Sequence, residues 1–277
     1  MSRPWIAATF SGFVIGVASL FVFSVGVRAE TITIGGTGWS IGMARQLASV
    51  YTEKHPDIRI QVPDSVGSGG GVKAVLNGRF DLAFASRPIK KKNQGKGLVE
   101  TPYVRTPFVL SVSPKAGKDT AMTTDELMAT YKGELTHWKN GTPINHVIRS
   151  ERESSTTLMA AHFAGIGPLI SKKRKSRGAL YARNDQEAMD IGEKIVGVIV
   201  PMALLAIRAE QRALEPITID GIHPTLANLE AGKWVMETSL YLVQGPKLTA
   251  AARAFLSFLR SEEAARILLR HGGTLLK

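Results

Sequence analysis

Cysteine is absent from all 277 residues, which excludes disulfides, thiolate metal sites and a lipid-modified cysteine at a mature N-terminus. Acidic residues are few beside basic ones: 23 Asp and Glu stand against 35 Lys and Arg, a formal net charge of +12. A field of that sign attracts anions. Aromatics are sparse, and none interleaves with the two densest basic runs, Lys90-Lys91-Lys92 and Lys172-Lys173-Arg174-Lys175 with Arg177; both read as solvated loops. The six histidines, His55, His137, His146, His162, His223 and His271, lack metal-ligand spacing, and no Gly-x-Ser-x-Gly elbow marks a hydrolase. No metal or cofactor is expected.

What is present begins with an export signal. Arg3 precedes an uncharged apolar or small run, Ile6 to Val27, and Val27-Arg28-Ala29 resembles a small-x-small cleavage site before Glu30. The run is long for a signal and could just span a bilayer, so an uncleaved anchor is the alternative. Cleavage lowers the net charge by two to +10, because Arg3 and Arg28 leave and no acidic residue does. Residues 1–29 are thus read as a signal peptide and the remainder as periplasmic. Export argues against a nucleic-acid partner.

The chain then punctuates strands with glycine. Thr31-Ile32-Thr33-Ile34 alternates as a strand, Gly35-Gly36-Thr37-Gly38-Trp39-Ser40 breaks it, and Ile41, Ala44, Leu47, Ala48 and Tyr51 recur at helical spacing until His55-Pro56. The unit repeats: strand 58–62, glycine loop 67–71, a helix to Gly78, and strand 81–85. Alternating strands and helices predict a parallel sheet with ligands at the carboxyl ends of its strands. Both glycine loops and Ser86-Arg87 converge there, and two helix starts at one crevice suit an anion. Gly67 to Lys73 is not a P-loop, since Val72 replaces the glycine before Lys73 and no Ser or Thr follows it. Gly36-x-Gly38 is no dinucleotide fingerprint, since Ile41 stands in place of its third glycine.

A second series follows. Pro107 to Val112 is a strand candidate, Thr123-Thr124-Asp125-Glu126 a capping box, and Val147-Ile148 a strand leading into Arg149 and a helix after Ser154-Ser155-Thr156. Helices are predicted at 185–193 and 225–231, strands at 197–200 and 240–243, and a C-terminal helix at 249–270 with a kink near Ser261. Arg149, at a strand end before a Ser/Thr-rich helix start, suits a buried oxyanion, which needs a charged donor of fork geometry. A salt bridge to Glu151 or Glu153 is the competing reading.

These residues resemble the phosphate-binding proteins of bacterial ABC importers, with the two-lobed type II periplasmic-binding fold. Gly67-Ser68-Gly69-Gly70-Gly71-Val72-Lys73 is similar to that family's Gly-Ser-Gly-x-Gly-Ile-Lys, Phe80 to Ser86 to its following strand, and Tyr131-Lys132-Gly133 with Trp138-Lys139-Asn140-Gly141 to its second-lobe pair. Arg149 with Ser154-Ser155-Thr156 resembles its Arg…Ser-Gly-Thr loop. The resemblance implies an α/β fold of two lobes, each a mainly parallel sheet flanked by helices: 30–108 and 238–277 in lobe one, 109–237 in lobe two, and the ligand cleft between them. It implies ligand contacts at Thr37, Gly38, Trp39, Ser68, Gly69, Gly70, Arg87, Arg149, Ser154, Ser155 and Thr156. The partners it implies are phosphate or a similar oxyanion and an ABC permease, for a monomeric protein that is not an enzyme.

This chain departs from the family at Arg87, where the family has Asp. Arg87 turned into the cleft would favour fully ionised oxyanions such as sulfate, because guanidinium only donates; turned outward it would pair with Asp81. The alternatives in function are an exported phosphatase or esterase using Ser68 or Ser154, and an oxyanion sensor of the same fold. The first would need a base near either serine, which no motif places there.

Overall fold

The computed structural model describes Met1, residues 29–117 and residues 120–276; the apolar run read as a signal lies outside them. Among the described residues no helix is long and apolar enough to cross a membrane. The strands, in chain order, are β1 (Glu30–Gly36), β2 (Ile58–Gln61), β3 (Leu82–Ala85), β4 (Val99–Val112), β5 (Asn145–Ile148), β6 (Leu180–Tyr181), β7 (Val198–Ala203), β8 (Glu215–Pro216), β9 (Glu237–Gln244) and β10 (Thr274–Leu275). The helices are α1 (Ile41–Lys54), α2 (Gly67–Leu76), α3 (Thr124–Lys132), α4 (Ser154–His162), α5 (Ile166–Arg174), α6 (Asp185–Lys194), α7 (Leu204–Ala209), α8 (Leu226–Glu230), α9 (Ala250–Leu259) and α10 (Glu262–Arg270).

Alternation in β1 sends Ile32 and Ile34 into the core while Thr31 faces out. β1 lies parallel between β2 and β3, with Ile32 opposite Ile60 and Ile34 opposite Leu82. α1 buries the residues its spacing singled out, Ile41, Ala44, Leu47, Ala48 and Tyr51. In the second lobe β5 lies parallel between β6 and β7, and β7 is buried along its whole length. The two lobes meet in β4: Val99 to Pro107 pair antiparallel with β9, and Phe108 to Ser111 pair antiparallel with β7. The resulting order is β2-β1-β3-β9-β4-β7-β5-β6, with β8 and β10 attached to β4.

The sheets are therefore mixed rather than mainly parallel, because β4 and β9 run antiparallel to the neighbours they share with the βα units. Strand β4 is also more than twice as long as its readable part, Pro107 to Val112, since Pro102 and Arg105 break the alternation of its first half. The glycine run 67–71 is the opening of helix α2 rather than a loop before it. Lys172, Lys173 and Arg174 form the last turn of α5, where cations meet the negative end of the helix dipole. The C-terminal helix is two helices, with Ser261 accepting from the Ala264 N–H as the N-cap of α10.

One buried group makes the second lobe sensitive to acid. His146 of β5 sits 4.0 Å from the Tyr131 ring and 2.8 Å from the Thr130 hydroxyl, and burial, aided by Lys173, pushes its pKa down to about 3. The unfolded chain protonates this imidazole below about pH 6.5 while the folded chain does not, so stability is lost as pH falls through that window. The loss is expected to approach about 1.4 kcal/mol per pH unit. Urea unfolding at pH 7 and pH 4.5 should show it, and His146→Gln should flatten the dependence; an equal slope in both proteins would refute the assignment.

Candidate functional site

The lobe-one side of the cleft is built where β1 and β3 end. The Thr37 N–H donates to the Phe84 carbonyl at 3.0 Å, and the Ser40 hydroxyl donates to the Thr37 carbonyl at 2.8 Å. These bonds wind Gly38–Ser40 into a 3-10 turn in which Gly38, Trp39 and Ser40 are buried. Helix α2 packs close beneath, because a Cβ on Gly71 would lie 2.9 Å from the Gly36 Cα. Ser68 is buried with its hydroxyl 2.9 Å from that of Ser86, and it accepts from the Ser86 N–H at 3.0 Å. Gly69 faces Arg87: a Cβ there would lie 3.8 Å from the guanidinium and meet nothing closer. The outward pairing of Arg87 with Asp81 does not form among the described residues; the Asp81 carboxylate instead accepts from the Thr33 N–H at 2.8 Å. Among the described residues Arg87 makes no ion pair, while Arg149 makes two.

The lobe-two side follows β5. Arg149, 5% exposed, donates from Nη1 to Asp185 Oδ1 at 2.6 Å and reaches Glu153 from Nη2 at 3.3 Å. Ser154, Ser155 and Thr156 form the first turn of α4, whose N-cap, Glu153, makes no side-chain capping bond. Helix α2 likewise starts at Val66 without a side-chain cap, although the Gly67 N–H reaches the Ser65 hydroxyl. Most first-turn N–H groups of both helices therefore have no side-chain acceptor, the condition that suits an anion. Among the other helices α3, α6, α8, α9 and α10 are each capped by a Thr, Asn or Ser side chain, while α1, α5 and α7 are not.

Two small cavities of about 10 Å³ each adjoin these parts, the first between the two sides and the second within the lobe-two side. One is lined by Trp39, Phe108, Ser154, Ser155, Asp185 and Thr238 among others. The other is lined by Arg149, Ser155, Thr156 and Tyr131, and the two share Ser155 and Pro201. Three buried polar groups around them lack any partner: Trp39 Nε1, Arg149 Nε and Ser155 Oγ. A buried donor left unpaired costs about 1–3 kcal/mol, which makes these three groups, spread over two adjoining cavities, candidate donors to an acceptor. Thr37, Gly38, Ser68, Gly69, Gly70 and Arg87 line neither cavity; Gly38 adjoins the first through Asp185, which a Cβ on Gly38 would strike.

Sequence reasoning singled out neither Asp185, which lines the first cavity, nor Gln186, which braces the turn at Gly38. They open α6, and the Gln186 amide donates to the Gly38 carbonyl at 2.9 Å and to Glu210 at 2.8 Å. The available signal was position: a helix predicted to begin at Asp185 places both side chains in its first turn, which in this architecture faces the cleft. Among the described residues no cluster of three or more His, Cys, Asp or Glu side chains offers a metal site.

Comparison with known proteins agrees with this architecture. The PstS phosphate-binding protein of Borreliella burgdorferi is 20% identical over 254 residues, spanning 88% of this chain and 89% of that one. A Clostridium perfringens protein solved with bound phosphate, described as a phosphate ABC transporter substrate-binding protein, superposes with a TM-score of 0.73 at 18% identity, over 90% of this chain and all of the other. The periplasmic molybdate-binding protein of Azotobacter vinelandii superposes with a TM-score of 0.60 at 15% identity, over 89% of this chain and all of that one. The structural likenesses show a shared two-lobed fold. The family profile of the PBP superfamily domain matches residues 24–263, and the chain belongs to that superfamily.

Proposed function

We propose that the cleft captures a small tetrahedral oxyanion, phosphate first, and that the protein hands it to an ABC permease from the periplasm. The observation that carries this reading is the convergence of unpaired buried donors, Trp39 Nε1, Arg149 Nε and Ser155 Oγ, beside the uncapped start of α4. A desolvated anion is costly unless its oxygens are hydrogen-bonded, and donors without acceptors are what it requires. The net charge of +12 adds attraction at long range. The relatives named for phosphate binding, and the absence of any hydrogen-bonding histidine on Ser68 or Ser154 among the described residues, favour a receptor over a hydrolase. Lobes 30–108 with 238–277 and 109–237 would then close as hinged halves over the ligand.

Isothermal titration of the mature protein with phosphate, arsenate, sulfate and molybdate tests the reading. Saturable binding of phosphate with one site is expected, and heat from none of the four would reject it. Gly69→Val sharpens the test, because Gly69 does not have a positive φ and a Cβ there has room. The variant should fold, yet lose at least roughly tenfold in affinity if the oxyanion needs the close approach that glycine permits. Unaltered binding would show the opening of α2 to be an ordinary packing element.

A further inference from the structure

We propose that Asp185 is a built-in competitor of the ligand: its carboxylate sits where an oxyanion must sit, and binding displaces it from Arg149. This inference rests on the oxyanion reading above. Guanidinium has two edges that can hold an oxyanion bidentately. In Arg149, Nη1 is taken by Asp185 at 2.6 Å and Nη2 by Glu153 at 3.3 Å, so neither edge is clear and only Nε lacks a partner.

Space gives the same answer. The cavity that Asp185 lines with Trp39, Ser154 and Ser155 is about 10 Å³, close to the least that admits one water, and a tetrahedral oxyanion carries four oxygens. The Asp185 carboxylate reaches across to Gly38, where a side chain would collide with it. It thus touches the turn bearing Trp39 and the charged donor Arg149 at once, as an oxyanion bridging the lobes would. Two ionised acceptors in contact repel unless a proton lies between them, so an incoming ion must remove the carboxylate or share a proton with it. The volume available decides for removal.

Tethering makes this competitor effective, since a carboxylate held by its own chain meets Arg149 at a high local concentration. Apparent affinity is reduced by the fraction of molecules in which the site is occupied internally. Asp185 would accordingly set how tightly the ion is held and how readily it is released.

Asp185→Asn keeps the shape of the side chain and removes its charge. Titrated with phosphate, this variant should bind roughly tenfold or more tightly than the unmodified protein, and Asp185→Ala, which removes the competing oxygens altogether, should do the same. In anion-free buffer both should melt lower, with Arg149 short of a counter-charge, and added phosphate should raise their melting temperature more than that of the unmodified protein. Weaker or equal phosphate binding in both variants, with the unmodified protein binding normally, would overturn the competitor and make Asp185 an acceptor for the ligand's own proton. Absence of binding in all three proteins would remove the oxyanion reading and the competitor with it.

Discussion

Arg149→Ala should lower folding stability by about 3–5 kcal/mol, the loss seen when one member of a buried ion pair is removed. Asp185 is the group left behind, with its side chain 14% exposed, while Glu153 at 42% can find water instead. The unfolding midpoint in urea measures the loss. Removing Asp185 as well should recover much of it, and a coupling energy of about 0.5–3 kcal/mol should appear in the double-mutant cycle. Strictly additive losses would show that the bond between Arg149 and Asp185 contributes little. The same arginine should also report on the ligand, with phosphate affinity weakened by about 2–5 kcal/mol in the variant.

The second large effect is expected at Gly36. Its φ is +137°, and a Cβ there would run into the Phe84 carbonyl oxygen, the atom that accepts from the Thr37 N–H. Gly36→Ala therefore forces β1 away from β3 and misaligns the turn that carries Trp39, at an expected loss above about 3 kcal/mol. Gly232→Ala is the comparison, because Gly232 has a φ of +68° and open space around its Cα. There only the left-handed backbone is penalised, by about 1–2 kcal/mol. Thermal unfolding of the two variants separates collision from conformational strain, and equal losses would mean that the contact with Phe84 relaxes freely.

The βα units at the start were legible because β1, α1 and β3 each carry an unbroken hydrophobic period of their own. So were Thr123 and its capping box, a purely local signal that the structure reproduces with both bonds. The first half of β4 was not legible, since its burial comes from β9, far off in the sequence, and its prolines and charges mask the alternation. Helix α5 was hidden for a related reason: its polar last turn looks like a loop until the rest of the helix is seen packed on Ile166 and Ile170. Of the residues picked out by type as anion donors, Trp39, Arg149, Ser154, Ser155 and Thr156 line the two cavities, whereas the glycines do not. Asp185 could not be picked out in this way, because nothing local distinguishes a carboxylate that caps off a buried guanidinium from any acidic residue in a helix's first turn. Its role exists only once β5 and α6 are brought side by side.

The pairing of β3 with β9 has a consequence for the order of events as the chain is made. Leu82 finds its antiparallel partner in Gln244, and β4 finds one in Thr274 near the last residue. Until nearly the whole chain is available, the first lobe has one strand with an open edge and a second without its main neighbour. Pairings so distant in sequence are slow to form, since the intervening chain must be gathered first. An open strand edge is meanwhile a template for wrong partners. In a protein wired in this way the first lobe is completed only when the C-terminal strands arrive, so the last part of the chain made is the part that closes the sheet of the first.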